Sequence, residues 1–303
     1  MTSHAACLLC RYPSSLLLET IKVADVVREW QRALNLDISN EFQGISCIQL
    51  RRCTVCDLRF FQPNSAAGSS SLYEKLQKFA WYYSIRKWEH DVALEDLAGC
   101  SNGLEIGCGF GDFVARASRE NMIPFEGCEL NPSAVARAQA NGLSVVSESS
   151  QNIALTRAGN YSAVCSFQVL EHVSDPASFL TAACTLLRKG GKLILGLPNA
   201  KSFLRLHFNA LDAPPHHMTR WTASTLTSLQ KYFPLKLLRI AYEPLADHHV
   251  EEYVDGHIGA LSRVGLRFVR HPAVRAAGLR LIRKSAIQKR LLGQTIYACY
   301  LKT

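Results

Sequence analysis

Five short apolar runs, at 103–106, 124–130, 143–146, 161–167 and 192–197, recur along the middle of the chain, and the stretches between them suit helices. Phe113 to Arg119 is helix-compatible, with Asp112 placed to cap it. Asn131-Pro132 opens another helix, and Asp175-Pro176 opens a third that runs to Leu187 and stops at Arg188-Lys189-Gly190-Gly191. Short apolar strands alternating with helices predict an α/β domain with a parallel, doubly wound sheet, whose ligand sits at the C-terminal edge of the strands. Leu235–Ile240 and Thr295–Leu301 carry two further strand patterns, with a helix at Thr222–Tyr232 before the first.

The first hundred residues follow a different rhythm. Ile21–Leu34 shows a helical stripe at 23, 26, 27, 30 and 34, and Ile45–Leu50 and Leu58–Phe61 read as strands. Cys7-x-x-Cys10 and Cys53-x-x-Cys56 flank this segment, and thiolates paired at that spacing each grip one side of a tetrahedral zinc ion. A structural Zn²⁺ on Cys7, Cys10, Cys53 and Cys56 is therefore expected, with Cys47 as the substitute ligand. Pro63–Ser71 is rich in Ser, Ala and Gly and reads as a linker. Leu72–Leu97 then predicts one helix apolar on two sides, at 72, 76, 79 and 83 and at 81, 85, 88 and 92. Its Trp81, Tyr82, Tyr83 and Trp88 read as packing residues. The expected division is a zinc module at 1–63, a linker and helix at 64–99, and the α/β domain at 100–303.

The chemistry gathers at Leu104-Glu105-Ile106-Gly107-Cys108-Gly109-Phe110-Gly111-Asp112. Glycines at alternate positions permit positive φ and remove side chains where a ligand meets the backbone, just before a helix start with free N–H groups. Twenty residues beyond the middle glycine, Glu129-Leu130 closes the next strand, placing a carboxylate to accept ribose hydroxyls. The glycine spacing, with Glu105 two residues before Gly107, resembles motif I of class I S-adenosylmethionine-dependent methyltransferases. Gln168-Val169-Leu170-Glu171-His172 resembles the post-strand motif of small-molecule members such as those of quinone biosynthesis, although Tyr161-Ser162 stands where those usually carry an Asp. The resemblance implies a mostly parallel seven-stranded sheet ending in an antiparallel pair, which makes 246–293 an insertion. It implies S-adenosylmethionine bound by Glu105, Gly107, Gly109, Gly111, Glu129, Leu130 and Gln168. The cysteine pairs, with their wide gap, resemble zinc-binding modules found ahead of some methyltransferases that act on sugars.

Between the fifth strand and the helix at 222 lies Pro214-Pro215-His216-His217-Met218-Thr219-Arg220-Trp221, a loop leaving the ligand edge. His217 is the first candidate for substrate positioning or proton removal, His216 the second and His172 a third. No carboxylate cluster suited to a divalent cation is evident, so in-line transfer without Mg²⁺ is expected. The chain lacks the Asn-Pro-Pro-Tyr expected for methylating exocyclic amines or amides.

Charge bears on the acceptor. Of the +9 net charge, the ten Lys and Arg after Asp255 account for all: they leave 24 basic against 25 acidic residues before them, a balance of −1. The basic, amphipathic insertion is open to three readings: a lid over an anionic small-molecule or carrier-linked acceptor (a sugar, polysaccharide or lipid precursor), a peripheral membrane contact through 260–290, or a grip on RNA. Sparse aromatic residues in it disfavour nucleic acid. A non-catalytic adaptor that retains the cofactor fold is the rival from another class. Eleven cysteines in a chain without an apolar run of about eighteen residues lead us to expect reduced thiols and a cytoplasmic location, with the oligomeric state left open.

Overall fold

The structure is a computed structural model that describes residues 5–79, 82, 83, 87–206 and 209–303. Trp81 and Ile85, placed on a helical stripe by the sequence pattern, lie outside the described residues. In chain order the elements are β1 Ser15–Lys22, α1 Val23–Leu34, β2 Cys47–Cys53, β3 Arg59–Gln62, α2 Ser70–Leu76, α3 Trp88–Asp96, β4 Gly103–Ile106, α4 Asp112–Glu120, β5 Phe125–Cys128, α5 Pro132–Ala140, β6 Val145–Val146, α6 Ser150–Thr156, β7 Tyr161–Phe167, α7 Pro176–Leu186, β8 Leu187–Pro198, β9 Thr219–Arg220, α8 Ala223–Ser228, β10 Leu235–Pro244, α9 Val250–Arg263, α10 Pro272–Ile282, α11 Ser285–Gln288 and β11 Leu292–Lys302.

Seven strands form the main sheet in the order β10-β11-β8-β7-β4-β5-β6. Pairing is parallel from β8 to β6 and antiparallel for β8–β11 and β11–β10. Both faces are covered. Leu193, Leu195 and Leu197 of β8 join one core with α6, α7 and α8, while Ile194 joins the opposite core with Phe113, Val135 and Phe167. This two-sided burial explains why the strands read as continuous apolar runs. Asn131 and Asp175 cap α5 and α7 as their sequence predicts, accepting from the N–H of Ser133 and Ser178. Asp112 is a correction: Gly111, at φ 81°, occupies the cap position, and Asp112 is the first helical residue with no capping bond. Arg188 to Gly191, expected to terminate α7, lie inside β8, where Gly190 at φ 75° makes the turn possible.

The N-terminal segment departs most from its pattern. Ser15–Lys22 is a strand with a largely exposed face, so Ile21 closes β1 rather than opening a helix. β1, β2, β3 and β9 make a second, antiparallel sheet, whose last strand comes from the loop after β8. Leu58 and Phe60 pack in the same core as Leu104, Leu193 and Trp221. The module thus shares its interior with the main domain. Among the described residues of Leu72–Leu97 there are two helices, α2 and α3, with a turn at Tyr82 and Tyr83, since Leu72 and Leu76 face the N-terminal core while Val92 and Ala93 face the main sheet.

Candidate functional site

At the C-terminal edge of β4 the chain turns through Gly107, Gly109 and Gly111, at φ 75°, 54° and 81°. A Cβ on Gly107 would lie 2.4 Å from Val169 Cγ2 and one on Gly109 2.9 Å from Tyr83 Cδ1, so both positions need glycine for space as well as conformation. Glu129 folds against the turn. Its carboxylate accepts from the N–H of Gly109 at 3.0 Å, Leu130 at 2.8 Å and Asn131 at 2.9 Å, bonds that fix its orientation and leave lone pairs for a diol. Leu130 itself is exposed. Glu105 is buried with Oε2 unpaired, and burial pushes its carboxyl up to about 8. Gln168, at φ 56°, donates to Glu89 Oε1 at 2.9 Å beside the turn. Tyr83 packs on Phe110 at 4.5 Å between ring centres and covers the turn. These residues fit a nucleoside ligand: an open backbone cradle, an acid for its ribose, and a buried orphan carboxylate for a cation.

The three histidines singled out in the sequence meet beside this edge. One ring nitrogen from each of His172, His216 and His217 lies within 4.8 Å of the others. Backbone geometry makes this happen, because Met218 and Thr219 both donate their N–H to the Glu171 carbonyl, tying the loop to the segment after β7. Burial holds His172 down to about 4 and drives His216 and His217 well below the ordinary imidazole value, so all three are neutral at physiological pH. Asp212 faces His217 Nδ1 at 3.3 Å and pairs with Arg220 at 2.9 Å. Glu171 lies 1 % exposed with neither carboxylate oxygen hydrogen-bonded, and burial raises it to about 8. The sequence pattern drew attention to the histidines, took in Glu171 only as part of the Leu-Glu-His segment, read Tyr82 as a packing residue, and overlooked Asp212 and Tyr73. Tyr82 OH reaches His216 Nε2 at 3.3 Å and Tyr73 OH donates to the His216 carbonyl at 3.4 Å. The Leu-Glu-His segment contained the one available signal, a carboxylate next to a histidine at a strand end.

From this cluster a cleft of about 370 Å³ opens past Pro198 and Asn199. Four arginines, Arg59, Arg205, Arg220 and Arg263, line it, with Asp212 linking it to His217. Arg59 Nε is buried without a partner, and burial lowers the Arg59 pKa, with the charges of Arg220, Arg52 and Arg205 adding to the effect. Glu19 and Asp212 line the same cleft and the charge of Asp57 opposes the shift, so four arginines against two acids leave the lining basic and suited to an anion.

Behind the cleft, Cys7, Cys10, Cys53 and Cys56 bring their sulfurs within 4.8 Å of one another, with Cys7–Cys56 and Cys10–Cys53 at 3.5 Å. A tetrahedral zinc with bonds of about 2.3 Å sets sulfurs about 3.8 Å apart, so the donors fit the ion. The N–H groups of Leu9, Val55 and Cys56 point at these sulfurs at 3.4 to 3.5 Å, and a hydrogen bond from Cys56 lowers Cys7 toward the thiolate. Cys47 is exposed and outside the cluster. Asp247, His248 and His249 sit at the base of the insertion, with Asp247 accepting from Gln288 at 2.6 Å and His249 packed on Phe203.

A family described as "Methyltransferase domain" matches residues 70–239. "Ubiquinone biosynthesis O-methyltransferase" of Xanthomonas oryzae pv. oryzae is 34% identical over 110 residues, which are 34% of this chain and 45% of that protein. The protein of the same name from Xanthomonas axonopodis pv. citri is 32% identical over 160 residues, 45% of this chain and 66% of that one. The chain thus spans between about half and just under two thirds of the length of these curated relatives. Among solved structures, a SAM-dependent methyltransferase from Archaeoglobus fulgidus superposes with a TM-score of 0.48 at 17% identity, covering 78% of this chain and all of that one.

Proposed function

This chain belongs to the class I S-adenosylmethionine-dependent methyltransferase family, and from that premise we propose that it methylates an oxygen of a small or carrier-linked acceptor bearing an anionic group, as in a sugar, polysaccharide or lipid precursor. An oxygen acceptor follows the name carried by its relatives. S-adenosylmethionine, when bound, supplies a methyl group activated by a positively charged sulfur. The chain's own contribution is to align the acceptor, exclude water and remove a proton. Gly107, Gly109 and Gly111 admit the cofactor, Glu129 takes its ribose, and Glu105 and Gln168 border it from the sheet side. His217 is the base: neutral through burial, oriented at Nδ1 by Asp212, and free at Nε2 to take the acceptor's proton. In-line transfer without Mg²⁺ is part of this proposal, which asks of the chain only alignment, water exclusion and proton removal. The four cysteines hold structural Zn²⁺, and eleven cysteines with no disulfide among the described residues suit a reducing, cytoplasmic setting. Among the described residues no helix is long and apolar enough to cross a membrane.

The observation that carries the anionic acceptor is the four-arginine cleft that shares Asp212 with the base. Arg205→Gln and Arg263→Gln are expected to raise the acceptor KM about tenfold or more while leaving cofactor affinity unchanged, since each removes a charge-assisted contact of about 1.5–3 kcal/mol. Labelled donor offered against matched acceptors with and without their anionic group checks this directly. Equal turnover of the uncharged member would overturn the anionic reading. The insertion's outer turn adds a second support, for a lipid carrier: Val264, Leu266 and Phe268 are exposed beside Arg263, Arg267 and Arg270.

A further inference from the structure

Each of the three clustered histidines has its Nδ1 engaged by an oxygen. His172 Nδ1 lies 2.7 Å from the His216 carbonyl, His216 Nδ1 2.9 Å from the Leu211 carbonyl, and His217 Nδ1 3.3 Å from Asp212 Oδ1. A carbonyl only accepts, so Nδ1 carries the proton in His172 and His216, and the Asp212 carboxylate imposes the same tautomer on His217. Three lone pairs are thereby left on Nε2. Holding Nδ1–H on an oxygen is the device by which metal-ligating imidazoles are oriented. The fourth member is Glu171, buried and unpartnered, whose Oε1 stands 3.8 Å from His172 Nε2 and 4.0 Å from His217 Nε2.

From this constellation the geometry points to a second metal site, a three-histidine, one-glutamate centre for a borderline divalent ion such as Zn²⁺, separate from the four cysteines. Imidazole and carboxylate donors suit zinc and its neighbours rather than Mg²⁺. Tetrahedral zinc–nitrogen bonds of about 2.0–2.1 Å need donors about 3.4 Å apart; the imidazole nitrogens lie within 4.8 Å of one another and Glu171 Oε1 lies 3.8 and 4.0 Å from two of them, so these separations close by about 1.4 Å or less, within reach of side-chain torsions. Tyr82, whose hydroxyl meets His216 Nε2 at 3.3 Å, is the group the ion displaces. The carboxylate gives an explanation for its own burial: an orphan anion-forming group at 1 % exposure is costly unless a cation joins it. Neutral imidazoles held by burial offer their lone pairs without competition from protons.

The consequence for catalysis rests on the reading of His217 as the base. A metal on His217 Nε2 occupies the lone pair that takes the acceptor's proton, so occupancy switches transfer off while the cofactor cradle stays intact. The site is then a metal-responsive brake on the enzyme.

The test uses the full chain with its cysteine-bound zinc in place, titrated with Co²⁺ and with Zn²⁺ alone. One further equivalent is expected, with Co²⁺ absorption typical of four-coordinate nitrogen and oxygen ligands and no thiolate charge-transfer band. His216→Ala weakens that equivalent about 100-fold and Glu171→Gln about tenfold. His172→Asn serves as a second ligand variant should His216→Ala misfold, and circular dichroism reports folding for each. Added Zn²⁺ is expected to lower kcat/KM for the acceptor at unchanged S-adenosylmethionine affinity, and a chelator weaker than the cysteine site restores it. Absence of the second equivalent in folded wild-type protein overturns the site, whatever the fate of the methyl-transfer reading. A second equivalent that raises turnover overturns the brake. Failure to find any acceptor leaves the Co²⁺ spectrum to decide the site by itself.

Discussion

At the scale of single residues, Glu105 is where sequence and structure say different things about the same side chain. Its place two residues before Gly107 marks it as part of a cofactor motif, but only the fold shows that it is fully buried with Oε2 unpaired, and that burial raises it from 4.5 to about 8. The sign of the resulting linkage follows directly. Between pH 4.5 and 8 the unfolded chain gives up this proton and the folded chain keeps it, so stability is fully present below 4.5 and declines as pH rises toward 8, by up to about 1.4 kcal/mol per unit for one group. Denaturant unfolding of wild type and Glu105→Gln at pH 5 and pH 8 should show the decline shrinking in the variant. Cofactor binding provides an independent readout. A cation arriving beside Glu105 favours its carboxylate, so binding at pH 7 should release a proton, seen as a dependence of calorimetric enthalpy on buffer ionisation that is lost in Glu105→Gln.

At the scale of elements, the legible parts are those whose pattern is set by their own burial. β7 was readable to the residue because both its faces are covered, and β4 and β5 to within a few residues for the same reason. β1 was not, since Leu16, Leu17 and Leu18 are all exposed and no buried–exposed alternation marks the strand, and β9 is two residues long. β9 could not be found locally because its partner is 160 residues away: Thr219 pairs with Phe60 and Arg220 with Arg59. The histidine cluster was half legible for the same reason, with His216 and His217 adjacent in sequence but Glu171 and His172 brought to them only by the loop's return. This topology makes the cysteine cluster a support for the loop after β8, which the proposed function assigns to the acceptor. Thr222 bonds Asp57 at 3.0 Å and Phe61 bonds the Met218 carbonyl, both next to the Cys53–Cys56 knuckle. Cys56→Ser, or removal of the metal by a strong chelator, is therefore expected to raise the acceptor KM and speed hydrogen exchange at Met218 to Trp221, while cofactor affinity, set at the glycine turn, stays within about twofold. Equal loss of both affinities would show instead that the cysteine site holds up the whole shared core.

At the scale of the molecule, the basic excess is partly consumed within the insertion. Arg275 bonds Asp255 at 2.6 and 2.9 Å and Glu251 at 3.2 Å, and Arg283 bonds Glu251 at 3.0 Å, so the last acids of the chain neutralise part of α10 and clamp it to α9. Pairs this exposed contribute little to stability, and their effect is to fix how the two helices lie. What remains outward is the turn between them, where Val264 is 76% exposed and Phe268 68%, flanked by Arg263, Arg267 and Arg270. Arg263 also reaches back to the Leu206 carbonyl and lines the four-arginine cleft, so the apolar turn and the acceptor cleft are joined through one side chain. An apolar tip ringed by arginines suits an anionic lipid surface, where each basic residue contributes about 1 kcal/mol and the apolar side chains enter the interface. Sedimentation with vesicles of phosphatidylglycerol and phosphatidylcholine is expected to pull down the wild-type chain in proportion to the anionic lipid and to lose it at high salt. Val264→Asp combined with Phe268→Asp should abolish binding with melting temperature and cofactor affinity preserved, because neither side chain belongs to a core. Binding to pure phosphatidylcholine would assign the turn to apolar contact alone, and no binding to either vesicle would leave the arginines to the acceptor and remove the lipid carrier from the proposed reaction.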